Sequence, residues 1–286
     1  MTDPLPPLAT ATTETSVWRL PAEGGGERRG EVLAVEEPLE IRVEGRSIAV
    51  TMRTPGQDRE LAAGFLLSEG VIAATADLFE ISLCPGATAG NAVDVVLTAP
   101  ERVDFARLTR HVFTSSSCGV CGKASLEAAF GTFPPLEPAH CELVPIATIL
   151  ALPERLRAEQ AAFQTTGGIH ASALFDLSGR LLRVREDVGR HNALDKLIGA
   201  SLLEGNFPLE ETILLLSGRI SFELMQKALA ARIPIIAAVG APSSLAVSFA
   251  KASGQTLVGF IRDRRCNLYA GGGRIRAGDG GIITEV

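Results

Sequence analysis

Hydrophobic and polar residues alternate with a period of two in three segments near the start of the chain, which predicts half-buried strands. These segments are Val32–Val35, Leu39–Val43 and Ser47–Met52, and two further strand candidates are Phe79–Leu83 and Ala92–Leu97. Between them, Asp58–Glu69 has the spacing of a helix with one apolar face, and Gly70 provides its stop. Residues 31–110 are therefore predicted to form a small α+β domain.

The second half of the chain alternates continuous apolar runs with helical segments. The predicted elements are helix Pro153–Phe163, a hairpin of strands Ile169–Asp176 and Leu181–Arg185 around Leu177-Ser178-Gly179-Arg180, helix 187–199, strand Ile213–Leu216, helix Ser221–Ala231, strand Ile235–Val239, helix Ser243–Ala252 and strand Leu257–Ile261. Continuous apolar strands are typical of burial on both faces, which a largely parallel sheet with helical crossovers provides. We therefore predict an α/β domain over residues 146–286, in which Asp187 caps the start of a helix.

Two segments do not fit either domain. Residues 1–30 are rich in Pro, Thr, Gly and Glu, and we predict a disordered tail there. Residues 111–145 combine a cysteine-containing loop with a proline-rich linker.

Composition narrows the class of protein. The 286 residues are 46% hydrophobic and 21% charged, which is typical of a soluble globular protein. The net charge of -6 gives no general attraction for nucleic acid or an anionic membrane, and apolar runs such as Ile233–Val239 are too short to cross a bilayer. The first ten residues lack the pattern of a signal peptide, and five scattered cysteines favour a reducing compartment. We expect a cytoplasmic protein.

The segment Ser115–Lys123 carries the most informative chemistry. Cys118 and Cys121 lie three residues apart among small residues, and Lys123 follows them. Thiols that react need exposure and a nearby positive charge, whereas thiols that only pack a core have apolar neighbours. This segment therefore indicates sulfur chemistry, metal binding or redox exchange.

The three uses of the cysteine pair are not equally supported. A structural zinc site commonly needs a second pair of ligands, which would have to come from His111, His140, Cys141 or another subunit. The zinc-deaminase pattern H-x-E is matched at residues 140–142, but it follows the cysteine pair instead of preceding it. Gly119 and Gly122 oppose the helix that a thioredoxin-like pair would open. A loop that hands sulfur to another protein fits best.

Three predicted strand ends carry groups that suit an anion. They are Ser217-Gly218-Arg219, the small-residue loop from Gly240 through Ser243 to Ser244, and Arg262-Asp263-Arg264-Arg265. Ligands of open α/β sheets lie at such ends, and helix starts and guanidinium groups both bind phosphate. Each loop taken alone also reads as a simple turn with surface ion pairs. Convergence of all three favours a phosphate or pyrophosphate site.

Two histidines lie in polar segments of this part of the chain. His191 follows Asp187-Val188-Gly189-Arg190 and is a candidate acid–base group or a structural hydrogen-bonding residue. His170 follows Gly167-Gly168-Ile169, and the same two interpretations apply to it.

The cysteine pair, Arg-Glu-Asp-Val-Gly-Arg-His-Asn at 185–192 and Val-Gly-Ala-Pro-Ser-Ser at 239–244 together resemble the formate dehydrogenase accessory sulfurtransferases, the FdhD family. The resemblance spans roughly residues 30 to 270. It implies a mixed sheet with flanking helices, similar in fold to cytidine deaminases but without their zinc. It also implies transfer of sulfur, as a persulfide, from a cysteine desulfurase to the bis-molybdopterin guanine dinucleotide cofactor required by formate dehydrogenase.

The resemblance also assigns roles to residues. Cys118 looks like the persulfide carrier and Cys121 like its partner. The stretch Phe260-Ile261-Arg262-Asp263-Arg264-Arg265 resembles the cofactor-binding segment, for which GDP is the expected mimic. The full expected binding set is Phe260, Ile261, Arg262, Asp263, Arg264, Arg265, Ser217, Gly218, Arg219, Gly240, Ser243 and His191.

The leading hypothesis is thus a sulfurtransferase whose partners are a cysteine desulfurase and the catalytic subunit of formate dehydrogenase. A homodimer is expected from the resemblance alone, and no nucleic acid, membrane or zinc is expected to bind. The alternative is a non-catalytic chaperone that holds the molybdenum cofactor and uses the cysteine loop for docking.

Overall fold

The computed structural model describes residues 11–84, 91–103, 105, 132–137, 143–278, 280–281 and 283. Its strands are β1 (Thr12–Arg19), β2 (Glu27–Ala34), β3 (Glu37–Val43), β4 (Arg46–Arg53), β5 (Leu78–Leu83), β6 (Ala92–Leu97), β7 (Val144–Pro145), β8 (His170–Asp176), β9 (Leu181–Asp187), β10 (Thr212–Leu216), β11 (Ile235–Ala238), β12 (Thr256–Arg262), β13 (Arg265–Ala270) and β14 (Ile275–Arg276). Its α-helices are α1 (Asp58–Ser68), α2 (Ile146–Glu159), α3 (Ala161–Thr166), α4 (Arg190–Leu203), α5 (Phe222–Ala230) and α6 (Ser244–Ser253). None of these helices is long and apolar enough to cross a bilayer.

A six-stranded mixed sheet in the order β13-β12-β11-β10-β8-β9 forms the larger part of the fold. Only β10, β11 and β12 are mutually parallel. The expectation of a largely parallel sheet was therefore wrong, because β10 pairs antiparallel with β8 and the β12–β13 hairpin adds another antiparallel pair. The mixed sheet that the family resemblance implies and the predicted β8–β9 hairpin are confirmed. A continuous apolar run indicates that a strand is buried on both faces. A central strand shows this pattern whether its neighbours are parallel or antiparallel to it.

The helix α1 and four of the five N-terminal strands predicted from periodicity are confirmed, and these strands form a four-stranded sheet in the order β4-β3-β6-β5, with α1 against its inner face. The fifth prediction, Val32–Val35, overlaps the end of β2, which pairs with β1 in a separate sheet. The hydrophobic core is continuous from this sheet through α1 and α4 to the six-stranded sheet. A second core lies on the opposite face of the six-stranded sheet, beneath α2.

The structure differs from the sequence prediction in the predicted disordered tail. Strands β1 and β2 pair antiparallel there, from Thr12 opposite Ala34 to Arg19 opposite Glu27. Most of their side chains are exposed, including Trp18 at 66%. Periodicity misses such a hairpin because the apolar pattern reports burial, and this pair of strands buries little.

Two helix boundaries also differ from prediction. Helix α2 begins at Ile146 and runs through Pro153, because Ile149, Leu152 and Leu156 bury one face of it. Asp187 is not the cap of α4, whose capping position is Gly189. Asp187 instead ends β9, where its buried carboxylate accepts a hydrogen bond from the Gly189 N–H and pairs with Lys196 at 2.7 Å.

Helices α1 and α4 cross with their backbones in direct contact. A Cβ atom added to Gly64 would lie 1.9 Å from the carbonyl oxygen of Asp195, and one added to Gly199 would lie 1.8 Å from that of Glu60. Both obstructing atoms belong to helix backbones, which cannot move aside as a side chain can. Glycine at these two positions therefore sets the distance between the helices.

Replacing Gly64 with alanine is expected to destabilise the protein by at least the ~1–3 kcal/mol usual for overpacking, since the new methyl group would have to separate two helices. Urea unfolding monitored by circular dichroism measures this loss. Gly30→Ala is the matched control, because a Cβ at Gly30 meets no atom within 4 Å. Equal stability of the Gly64 and Gly30 variants would contradict the close crossing.

Candidate functional site

The three strand ends singled out from the sequence lie together at one edge of the six-stranded sheet. The Gly240 N–H donates to the Gly218 carbonyl at 3.1 Å, and the Phe260 N–H donates to the Gly240 carbonyl at 3.1 Å. The loops after β10 and β11 are thus joined by backbone hydrogen bonds to each other and to the end of β12. This edge is called the strand-end cluster below.

Glycine makes the close approach within the strand-end cluster possible. A Cβ on Gly240 would lie 2.6 Å from the Gly218 carbonyl oxygen, and one on Gly259 would lie 3.1 Å from Cδ of Pro242. Any side chain at Gly240 would therefore push the two loops apart.

Two helices begin side by side in the strand-end cluster. Ser221 caps α5, where its Oγ accepts from the Leu224 N–H at 3.5 Å, and Ser243 caps α6, where its Oγ accepts from the Ala246 N–H at 3.2 Å. The Ser243 N–H donates to the Ile220 carbonyl at 2.9 Å, which fixes the spacing of the two starts. The positive ends of two helix dipoles are therefore neighbours.

The turn between β12 and β13 brings arginines to the same edge. Phe260, Asp263 and Arg264 have positive φ angles of 53°, 51° and 57°, so the chain twists sharply there. The guanidinium of Arg262 stacks over the Phe260 ring, 5.6 Å from its centroid. Side chains 262–265 are exposed, and Asp263 lies 3.8 Å from the Arg265 guanidinium. Ile261 is only 3% exposed and belongs to the core beneath α2, so it supports the turn from below.

His191 lies in the first turn of α4 and faces the start of α5. Its Nε2 is 3.2 Å from Ser221 Oγ and 3.5 Å from Glu223 Oε2. Burial, together with the charges of Lys227 and Arg190, lowers the pKa of this imidazole to about 3. The ring is therefore neutral at pH 7 and makes a neutral hydrogen bond with Ser221.

A buried polar group beneath His191 was missed by the sequence analysis. Lys227 Nζ lies 2.9 Å from Asp195 Oδ2 and donates to Ser68 Oγ at 2.8 Å. Burial by itself would lower the pKa of Lys227, but the nearby carboxylates of Asp195, Glu69 and Glu223 outweigh it and raise the pKa. The only local sign in the sequence was the spacing of Glu223 and Lys227 on one helix face. The ion pair between Lys227 and Asp195 holds α5 against α4.

A cavity of about 460 Å³ adjoins the strand-end cluster, between α2, α3 and the ends of β8, β10 and β11. It is lined by Pro153, Leu156, Arg157, Gln160, Phe163, Gly167, Gly168, Ile169, His170, Ser217 and Val239. The sequence indicated only part of it, through the Gly167–His170 segment. Arg157 and Gln160 carried no motif.

Not all predicted site residues can be placed. Cys118 and Cys121 lie outside the described residues, as do His111, His140 and Cys141. The described candidates form one region that extends from the strand-end cluster to His191.

The pKa of His191 predicts a pH dependence of stability. An unfolded histidine takes up a proton near pH 6.5, whereas folded His191 resists protonation until about pH 3. Stability is therefore full above pH 6.5 and is lost as the pH falls towards 3. His191→Gln should reduce the loss of stability between pH 6.5 and 3, and an NMR titration should find the His191 ring neutral at pH 5. A ring that titrates near 6.5 would contradict the buried environment.

Comparisons with known proteins agree with this fold. The FdhD/NarQ family model matches residues 34–276. Proteins named "Sulfur carrier protein FdhD" from Streptomyces coelicolor and Mycobacterium tuberculosis are 51% and 52% identical, over 94% and 86% of this chain and 97% and 92% of theirs. The crystal structure of a protein from Desulfotalea psychrophila, described as a formate dehydrogenase accessory protein, superposes with a TM-score of 0.73 and 28% identity over 93% of this chain and 99% of its own. The chain belongs to the FdhD/NarQ family.

Proposed function

We propose that this protein is a sulfurtransferase that serves formate dehydrogenase. Cys118 receives sulfur as a persulfide from a cysteine desulfurase and passes it to the bis-molybdopterin guanine dinucleotide cofactor, which binds as substrate. Support comes from the relatives named as sulfur carriers and from the structural neighbour described as a formate dehydrogenase accessory protein.

The observation that carries the proposal is the strand-end cluster. A chain of net charge -6 has no general attraction for a polyanion, yet this edge combines two adjacent helix starts with the arginines of the β12–β13 turn. Helix starts and guanidinium groups both bind phosphate well. The pyrophosphate of a guanine dinucleotide is the kind of group that such an edge would hold.

The proposed transfer balances without an external oxidant. The Cys118 thiolate attacks the terminal sulfur of the desulfurase persulfide, a new S–S bond forms, and the desulfurase cysteine leaves as a thiolate. Attack by Cys121 on the inner sulfur would then expel the terminal sulfur as sulfide towards the cofactor. This second step leaves a Cys118–Cys121 disulfide, which a cellular thiol reductant must reopen.

The further details of the proposal follow the family resemblance. They are a cytidine deaminase-like arrangement of the six-stranded sheet and its helices, a cytoplasmic location and a homodimer.

Removal of the proposed carrier thiol should abolish sulfur transfer. After incubation with a cysteine desulfurase and cysteine, intact mass measurement of the wild type should find one added sulfur atom, and Cys118→Ala should gain none. Cys118→Ala should also fail to activate formate dehydrogenase in cells. Cys84→Ala is the matched control, because Cys84 is a half-buried free thiol outside the proposed pathway.

The same experiment separates the alternative function. A non-catalytic chaperone for the molybdenum cofactor would tolerate alanine at both Cys118 and Cys121. Full activation by the double variant would overturn the sulfurtransferase proposal in favour of the chaperone.

The proposed phosphate contacts predict nucleotide binding by the strand-end cluster. GDP should bind in calorimetry at low salt, and Arg262→Ala should weaken it by roughly tenfold, since a charged hydrogen bond contributes about 1.5–3 kcal/mol. Added salt should weaken the wild-type complex as well. Arg276→Ala on β14 is the control for charge alone, because Arg276 lies on an exposed position away from the β12–β13 turn. Equal losses of GDP affinity in Arg262→Ala and Arg276→Ala would show that the strand-end cluster is not the nucleotide site.

A further inference from the structure

The β1–β2 hairpin stands apart from the larger sheets of the protein. Among the strands that the structure describes, β1 and β2 pair only with each other. The base of the hairpin is attached to the body, because Ala11 is buried, the Val35 N–H donates to the Ala11 carbonyl at 2.9 Å, and β2 contacts α3. A two-stranded hairpin by itself is marginally stable in water. Its place in the protein is therefore better explained by binding than by stability.

The distal half of this hairpin projects into solvent. Every residue from Trp18 to Gly30 is exposed, whereas Val32 and Ala34, nearer the base, are half-buried. Each strand has eight residues, and a strand of that length spans roughly 25 Å. Residues 18–30 are called the arm below, and they are held well clear of the two cores.

Two large apolar side chains are ordered at the tip of the arm without being buried. The exposed fractions of Trp18 and Leu20 are 66% and 76%. A Cβ on Gly26 would lie 2.6 Å from Leu20 Cδ2 and 3.4 Å from Trp18 Cε3, so both side chains pack over this glycine. An aromatic side chain that is already positioned loses less entropy on binding and is typical of the residues that dominate interface energies.

Arginine accompanies these apolar side chains. Arg28 lies opposite Trp18 in the register of the hairpin, and its Nε donates to Ser16 Oγ at 2.9 Å. Residues directly opposite each other in an antiparallel pair share a face, so the face that holds Trp18 also carries a guanidinium. Glu27 lies opposite Arg19 and belongs to the other face. The Trp18 face therefore fits a protein surface with an apolar socket and a carboxylate beside it.

The base of the hairpin lies beside the proposed cofactor site. Strand β2 contacts α3, and α3 carries Phe163, which lines the cavity that adjoins the strand-end cluster. The Glu186 carboxylate ties α3 to β9 by accepting hydrogen bonds from the N–H groups of Ala162 at 3.1 Å and Phe163 at 3.0 Å. A protein that takes the cofactor from the strand-end cluster must approach this side of the molecule, where the arm projects.

The arm also lies outside the part of the chain that the family model matches. That match covers residues 34–276 and so begins where β2 ends. The cysteine pair and the strand-end cluster both fall within the matched residues. An element added beside them suits recognition of one particular recipient more than the chemistry that the family shares.

We propose that the arm docks the catalytic subunit of formate dehydrogenase while the cofactor is handed over. Trp18 and Leu20 enter an apolar socket on that subunit, and Arg28 pairs with a carboxylate at the edge of the socket. The identity of the recipient rests on the proposed function. The arm can be tested apart from sulfur transfer, because its residues belong neither to the cysteine pair nor to the strand-end cluster.

The test is the affinity of the full chain for the purified, cofactor-free catalytic subunit of formate dehydrogenase, measured by biolayer interferometry. The double variant Trp18→Ala/Leu20→Ser should bind at least about tenfold more weakly, the loss typical of an aromatic anchor. Arg28→Gln should show a smaller loss, which shrinks as salt is added. Phe79→Ala is the matched control, because Phe79 is an aromatic residue of β5 with a similar exposed fraction, 73%.

A second variant guards against misfolding of the first. Replacing residues 18–28 with Asn-Gly shortens the arm and closes the hairpin with a two-residue turn between Val17 and Arg29, which already lie opposite each other. Both arm variants should keep wild-type GDP binding and wild-type persulfide loading, since the arm contributes to neither.

Several outcomes would overturn the docking proposal. They are wild-type affinity in both arm variants, an equal loss in Phe79→Ala, and no binding of the subunit by the wild type. A change in self-association, measured by light scattering, would assign the arm to a second copy of this chain, and a loss of persulfide loading would assign it to the desulfurase. Each of these results also contradicts docking of formate dehydrogenase.

Failure of the sulfurtransferase proposal can be told apart from failure of the docking proposal. The binding measurement is repeated in Cys118→Ala, where the arm substitutions should weaken binding to the same extent. If Cys118→Ala still activates formate dehydrogenase, sulfur transfer through Cys118 is wrong, and the effect of the arm substitutions on affinity still supports docking.

Discussion

The direct backbone contact between α1 and α4 is the constraint on which the rest of the structure depends. Gly64 and Gly199 let the helices touch, and charged side chains are buried beside this contact. Glu60 receives two hydrogen bonds from Arg185, at 2.6 and 2.8 Å, and both residues are buried. Removing one partner from such a pair leaves an uncompensated buried charge, which costs about 3–5 kcal/mol. The N-terminal helix is therefore tied to the six-stranded sheet by packing and by charge.

This crossing also fixes the geometry of the candidate site. Asp195 on α4 and Ser68 at the end of α1 both contact Lys227, and these contacts fix the position of α5 relative to α1 and α4. Because α4 and α5 are fixed relative to each other, His191 meets Ser221 at the start of α5. The position of the start of α5 in the strand-end cluster thus depends on the buried ion pair between Lys227 and Asp195.

The distribution of charge suits a protein that handles two different chemical groups. Its net charge is negative, and two helix starts and the arginines of the β12–β13 turn lie together in the strand-end cluster. Local arginines and helix starts act over short distances because salt screens exposed charges beyond about 8–10 Å. The proposed division places sulfur chemistry on the cysteine loop and nucleotide recognition on the edge of the sheet.

The sequence by itself determined the secondary-structure elements that bury an apolar face, because the periodicity of each element is visible in its own residues, without information on the elements that pack against it. It also determined which residue types stand at the strand ends and in the cysteine pair. Only the tertiary structure decided the pairing of Arg185 with Glu60 and the cavity around Gln160. Those features join segments more than a hundred residues apart, or residues without any local pattern. Chain folding sets such distances, and no local spacing records them.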